Sequence, residues 1–330
     1  NIWSRLPIVK RTAETLLKML DFDFFELLDS VTIARSRKHI QKYYDATEVG
    51  PFPKRLKPVS YFCDLTKRDN VIGYNEIFRE LSRLTLALYA PFNYILPSRM
   101  GFYEEQYDTV VRSGGSLKQL DRERSLQVLM RINLLKRLES SVEAFRITLS
   151  KMLEKIKETI ELIDSYDYST TSQAFGHTEL DDVNLDDDDW LDEDYNIGDN
   201  IRINLSDMDR LRWREDLERD RRVFANLLGE MQKITPEHDE KLSTLKQVIA
   251  HKIHNPFNPG NRKVLIFTAF ADTAAYLFKH VAPYVKNTFE LETAKVVGSD
   301  KNEVTIRIKN DFHTILTCFS PKAKERHLTM

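Results

Sequence analysis

Cysteine is almost missing from this chain. Two residues, Cys63 and Cys318, stand among 330. Two cysteines build no disulfide framework, and theirs is no zinc-ligand spacing, so they read as ordinary intracellular thiols. Glycine and proline are also scarce, at 10 and 11, which argues against a loop-rich all-β fold. No apolar run approaches the roughly 18 residues that a membrane span needs, which excludes a transmembrane protein and points to the cytoplasm. The opening NIWSRLPIVK has neither an initiator Met nor a signal-peptide pattern, so the chain is expected to begin inside a longer protein. What is present is 42% apolar and 30% charged residues, the balance of a soluble globular protein. The length suggests about two domains.

Charge is distributed unevenly. Residues 179–199 (ELDDVNLDDDDWLDEDYNIGD) hold eleven acidic side chains and no Lys or Arg. Removing those eleven charges from the net −2 leaves +9 on the rest of the chain. A basic body attracts polyanions, and an acidic loop can compete for the same surface. Alternatively, the run is simply solvated and disordered, since it has too little to bury against the entropy of ordering. Asp186–Asp189 lacks the spacing and glycine of a calcium loop, so no metal site is expected. Arg35, Arg37 and Lys38, joined by Lys54 and Arg55, form basic clusters that can hold phosphate by charge and counterion release. A solvated basic face is the competing reading.

Helical periodicity dominates the middle of the chain. Ile77, Leu81, Leu84 and Leu88 predict a helix over 74–89. From Leu135 through Leu138, Val142, Phe145, Leu149, Met152, Ile156 and Thr159 to Ile163, the steps alternate 3 and 4, with eight of nine positions apolar. That is a heptad seam, and a single helix over 120–164 would reach about 67 Å. A second seam runs Trp213, Leu217, Asp220, Phe224, Leu227, Met231 and Ile234. The segment between them, about 165–205, has no periodicity. The expectation is a long antiparallel helical hairpin tipped by a disordered acidic loop.

From residue 235 the pattern changes. Thr235-Pro236 is a helix start, followed by the apolar face Leu242, Leu245, Val248 and Ile249. KVLIFTAF (263–270) is a short continuous apolar run, the signature of a strand buried on both faces of a parallel sheet. Asp272 or Thr273 is placed to cap the next helix. AKVVG (294–298), EVTIRI (303–308) and ILTCFS (315–320) are further strand candidates, and PVSYFCDL (58–65) alternates like a strand. Helix and strand in alternation predict α/β architecture, with too few strands for a complete sheet. Phe267 and Phe270 read as core. Lys136 and Arg137, followed by Glu139, read as helix salt-bridge partners. His251 and His254 suit a helix C-terminus.

Four segments resemble the Swi/Snf-type branch of the superfamily 2 helicases in its bacterial forms. IARSRKHI (33–40) resembles the basic segment closing the first RecA-like lobe. LLKRLESSVEAFRITL (134–149) resembles part of the helical region between lobes. DEKLSTLKQVI with RKVLIFTAFADTAAYL (239–249 and 262–277) resembles the entry to the second lobe and motif IV. FSPKAKER (319–326) resembles the region after the next strand. The resemblance implies a fold that is mainly α with an α/β part. Residues 1–65 would be the tail of the first lobe and 66–234 a helical insertion with a long hairpin. Residues 235–330 would begin an incomplete RecA-like C-terminal lobe. It implies an ATP-dependent translocase on duplex DNA, contacting the phosphate backbone, with a protein partner for the hairpin. Thr268 would stand near that backbone. ATP and Mg²⁺ are implied for the full-length parent, and no cofactor or catalytic residue for this piece. No G-x-x-x-x-G-K-[ST] cradle occurs, Asp192-Glu193-Asp194 has no buried strand before it, and Q-x-x-G-R-x-x-R is absent. The piece alone is therefore expected to be ATPase-inactive. The competing class is a non-catalytic coiled-coil interaction module.

Overall fold

The computed structural model describes residues 56–110, 116–166, 174–177, 201–298 and 301–320. The chain divides into two compact units, residues 1–61 and 62–330. Of the first, only 56–61 are described, and they are extended and exposed. The second unit is mainly helical, with eight α-helices among the described residues.

Helix α1 (Tyr74–Ser82) is shorter than its pattern predicts. Glu76 accepts from the Gly73 N–H at 3.1 Å and closes its first turn. Ile77, Leu81, Leu84 and Leu88 are all buried, as the spacing requires, but the chain leaves the helix at Ser82. Leu86 has φ of +51°, a left-handed conformation that a leucine rarely adopts. Asp220 holds it there. Its carboxylate accepts from Thr85 N at 2.7 Å, Thr85 Oγ1 at 2.9 Å and Ala87 N at 2.9 Å. The one polar position of the second seam is thus a buried staple for a distant turn. Helix α2 (Pro97–Tyr107) follows, with Pro97 in its first turn. A short antiparallel pair, β1 (Thr109–Val110) and β2 (Ser116–Leu117), comes next.

The expected single helix over 120–164 is two helices, α3 (Gln119–Ser140) and α4 (Val142–Asp164). Ser141 breaks them. Its backbone is extended, and its side chain accepts from Ala144 N at 3.0 Å, capping α4. The seam survives the break. Its first position, Leu135, is only partly buried, but Leu138 through Ile163 are buried at every predicted position, and so is each predicted residue from Trp213 to Ile234 in and just after α5 (Arg210–Gln232). Thr159, the polar member, bonds back to Lys155 O at 2.8 Å. Helices α4 and α5 pack in opposite directions. Arg214 pairs with Asp164 at one end, and Arg146 donates to Ile234 O at 3.3 Å at the other.

Within the segment expected to be a disordered loop, β3 (Ala174–His177) and β4 (Ile201–Asn204) form an antiparallel pair, in register from Ala174↔Asn204 to His177↔Ile201. The acidic run 179–199 between them lies outside the described residues.

A second hydrophobic cluster forms around Leu242, Ile249 and Ile253 of α6 (Glu240–His254) and Tyr276, Val281, Val285 and Phe289 of α7 (Ala271–Phe289). Helix α6 starts later than Thr235-Pro236 suggests. Its cap is Asp239, whose carboxylate accepts from Leu242 N at 2.9 Å. Thr235 spends its hydroxyl on Glu237 and His238 instead. Helix α7 has Phe270 at its cap and no side-chain cap at all, so neither Asp272 nor Thr273 serves as one.

The strand expectations fare worst. Residues 58–65 and 263–270 form no strand. The candidates at 294–298 and 303–308 reduce to a two-residue antiparallel pair, β5 (Ala294–Lys295) and β6 (Glu303–Val304). ILTCFS lies mostly in helix α8 (Phe312–Phe319). The reason is that a strand satisfies its backbone only through neighbours, and none of the described residues pairs with 263–269. Phe267, expected in the core, is 86% exposed, whereas Phe270 is buried.

Candidate functional site at the junction of α3, α4 and α7

The break at Ser141 brings together segments that are far apart in sequence. Arg137, one turn before the end of α3, shares a helix face with Leu134 and is buried with it and with Ser141 at the break. Its Nη1 donates to Asp272 Oδ2 at 2.5 Å, and the guanidinium stacks over the Phe270 ring at 4.4 Å. Arg137 therefore makes no helix salt bridge with its neighbours; its partner lies 135 residues away. Beside it, Ser140 Oγ and Ser141 Oγ lie 2.7 Å and 3.0 Å from Thr273 Oγ1. Lys241 Nζ donates to Glu139 O. Tyr276 donates to Asp239 Oδ2 at 2.9 Å. Burial, reinforced by that carboxylate, pushes the Tyr276 hydroxyl upward, so it stays protonated and keeps donating.

A cleft of about 530 Å³ opens at this junction, walled by Lys136, Ser140, Lys241, Thr268, Phe270 and Thr273 among others. A second, of about 310 Å³, lies against Val281 and Val296. Residues 266–270 wall both. The expected buried strand is thus a mostly exposed run without regular structure, walling two open clefts.

Of the residues singled out from sequence, Thr268 is described. It is exposed, and its hydroxyl accepts weakly from Phe270 N at 3.4 Å. Arg35, Arg37, Lys38, Lys54 and Arg55 lie outside the described residues, as does the whole of IARSRKHI. Sequence reasoning missed the Arg137–Asp272 pair. The available signal was the phase of Arg137, on the same helix face as buried Leu134 and Met130. His251 and His254 do sit in the last turn of α6, where His254 Nδ1 lies 3.0 Å from Ala250 O.

The carboxylates of the junction already have partners. Asp272 is committed to Arg137, and Asp239 to Leu242 and Tyr276. Among the described residues no three His, Cys, Asp or Glu gather to hold a metal, and no helix is long and apolar enough to cross a membrane. What the junction offers is a polar contact between helices and an apolar run beside two lysines, Lys136 and Lys241. Comparison with known proteins finds no matching family model, no matching curated protein and no matching solved structure.

Proposed function

We propose that this chain is part of a cytoplasmic ATP-dependent DNA helicase or translocase of the Swi/Snf type, which moves on duplex DNA. It supplies the helical insertion and the opening of the second RecA-like lobe. One observation carries the reading: two of the four resembling segments, 134–149 and 239–277, meet at one junction. LLKRLESS contributes Arg137, Ser140 and Ser141, the α6 segment contributes Asp239 and Lys241, and the motif IV-like segment contributes Phe270, Asp272, Thr273 and Tyr276. Unrelated segments that each happened to resemble one family would have no reason to converge. In this reading α4 and α5 form a hairpin lever, open to a protein partner, that passes motion between lobe and DNA. ATP and Mg²⁺ belong to other parts of the parent, and this piece alone hydrolyses no ATP.

DNA contact runs through phosphates, by the basic clusters Arg35, Arg37, Lys38, Lys54 and Arg55 and by Thr268. Fluorescence anisotropy with a duplex across a salt series tests it, on the whole chain and on a form lacking 179–199. The expected result is affinity that falls steeply with salt, with a log–log slope of about −0.9 per phosphate contact, and that rises when the acidic run is removed. No binding at low salt would overturn it. A second reading, a non-catalytic interaction module, is favoured by the exposed apolar side chains Leu265, Ile266 and Phe267. That reading predicts no DNA binding under any condition.

A further inference from the structure

The described part of residues 62–330 has two hydrophobic clusters that stay separate. One runs from Leu65 to Ile234 and the other from Leu242 to partly buried Leu291. The chain passes from the first to the second once, through the turn Thr235–His238, closed by His238 N to Thr235 O at 2.9 Å. Two sets of bonds then cross between them, and Lys241 Nζ, donating to Glu139 O, adds a link from α6 to α3. Near the crossing, Glu240 N donates to Leu65 O at 3.3 Å, and Lys67 pairs with Glu240 at 3.2 Å. At the first turn of α7 stand Arg137–Asp272 and the Ser140–Ser141–Thr273 hydroxyls.

The second set differs from ordinary packing in three ways. It is polar, and its residues belong to neither hydrophobic cluster. The Arg137 Nε is buried with no partner, so the guanidinium is held by one carboxylate and one ring rather than by a completed network. The cleft beside it leaves the contact unfilled on one flank. Ser141 also has two duties, capping α4 and meeting Thr273, so the helix break and the position of α7 are set by the same hydroxyl.

We propose that the turn Thr235–His238 with the start of α6 is a hinge, and that Arg137–Asp272, seconded by Thr273, is its latch. Closed, the latch holds the α6–α7 body at one angle to the α3–α5 body. Open, it lets the α6–α7 body turn while both hydrophobic clusters stay intact. Hinges of this kind absorb the change in a few terminal residues of an element and leave the packed bodies rigid. The inference goes beyond the function proposed above and holds whether or not the chain belongs to a translocase.

The test is a distance distribution by double electron–electron resonance on the whole chain. Spin labels go on Ser150→Cys of α4 and Lys279→Cys of α7, both exposed, with Cys63→Ser and Cys318→Ser as background. The unmodified latch is expected to give one narrow distribution. Asp272→Asn is expected to broaden it or add a second distance, and Thr273→Val, which keeps shape and loses the hydroxyl, to broaden it less. Far-UV circular dichroism of each variant is expected to match the parent. Unchanged distributions in both variants would show static packing and overturn the latch. Loss of helicity with Asp272→Asn would show one cooperative body and overturn the hinge.

Discussion

Phe145, in the heptad seam, and Phe267, in a continuous apolar run, are both expected in the core and meet opposite fates. Phe145 in α4 is fully buried, whereas Phe267 is 86% exposed. The difference lies in the backbone. A helix satisfies its own N–H and C=O groups and needs a partner only for its apolar stripe. Helix α4 finds one in α5. A strand needs neighbours for every peptide group before its side chains can be buried. The run 263–269 has no such neighbours among the described residues, and apart from Val264, which is partly buried against the second cluster, its side chains stay exposed. Apolar composition predicted burial for both; only the element able to close its own hydrogen bonds achieved it.

The comparison is broken most directly by truncating both phenylalanines. Phe145→Ala should cost about 3–5 kcal/mol, the range for emptying an aromatic site in a packed core. Phe267→Ala should stay within about 0.5 kcal/mol, as for an exposed residue. Urea unfolding of the two variants measures both. Equal losses would show that 263–270 is packed after all.

Asp220 offers the next largest effect. Asp220→Ala leaves the buried N–H of Ala87, and that of Thr85, without an acceptor, which should cost about 1–3 kcal/mol. Asp220→Asn, which keeps one oxygen, should cost less. The same unfolding assay ranks them, and a harmless Asp220→Ala would mean that the Leu86 turn holds itself.

Glu123 sharpens the view of the helical core. Burial pushes its carboxyl well above the usual carboxylate value, against hydrogen bonds from Phe92 N and the Gln119 side chain. Asp220 is raised for the same first cause. In the unfolded chain a Glu titrates near about 4.3. Above that pH the native state holds more protons than the unfolded one, so stability falls as pH rises. The contribution is full below the unfolded value and is lost as pH passes through the raised one. Glu123→Gln should therefore flatten the fall in melting temperature as pH rises above about 4.3. An unchanged slope would assign that fall to other groups.

The smallest effect belongs to Arg214→Ala. Its two-pronged pair with Asp164 at 2.6 Å and 3.0 Å lies at the surface, where such pairs contribute little. No measurable change in unfolding midpoint is expected.

What could be read in the sequence follows the same division. The seam residues from Leu138 to Ile163 and from Trp213 to Ile234 were legible, because helical spacing alone decides which side chains point inward. The Ser141 break was not, since the heptad steps run through it undisturbed and only the cap geometry reveals it. Asp220 looked like a flaw in the seam because its partners, Thr85 and Ala87, lie more than a hundred residues earlier. Arg137 and Asp272 were each visible as charges, but which charge would be its partner is a property of the fold. The strands at 58–65 and 263–270 were over-read, because neither alternation in the first nor a continuous apolar run in the second reports the presence of a sheet. That the KRLESS and motif IV-like segments meet could not be seen in the sequence at all.

The contrast between the two bodies is tested most directly by native-state hydrogen exchange of the whole chain, read peptide by peptide. Amides within 145–163 and 213–232 should exchange slowly, at rates set by global unfolding. Amides of 264–269 should exchange nearly as fast as in an unfolded peptide. Protection of 264–269 comparable to that of α4 would contradict the account, because it would require main-chain partners that the fold described here does not give them.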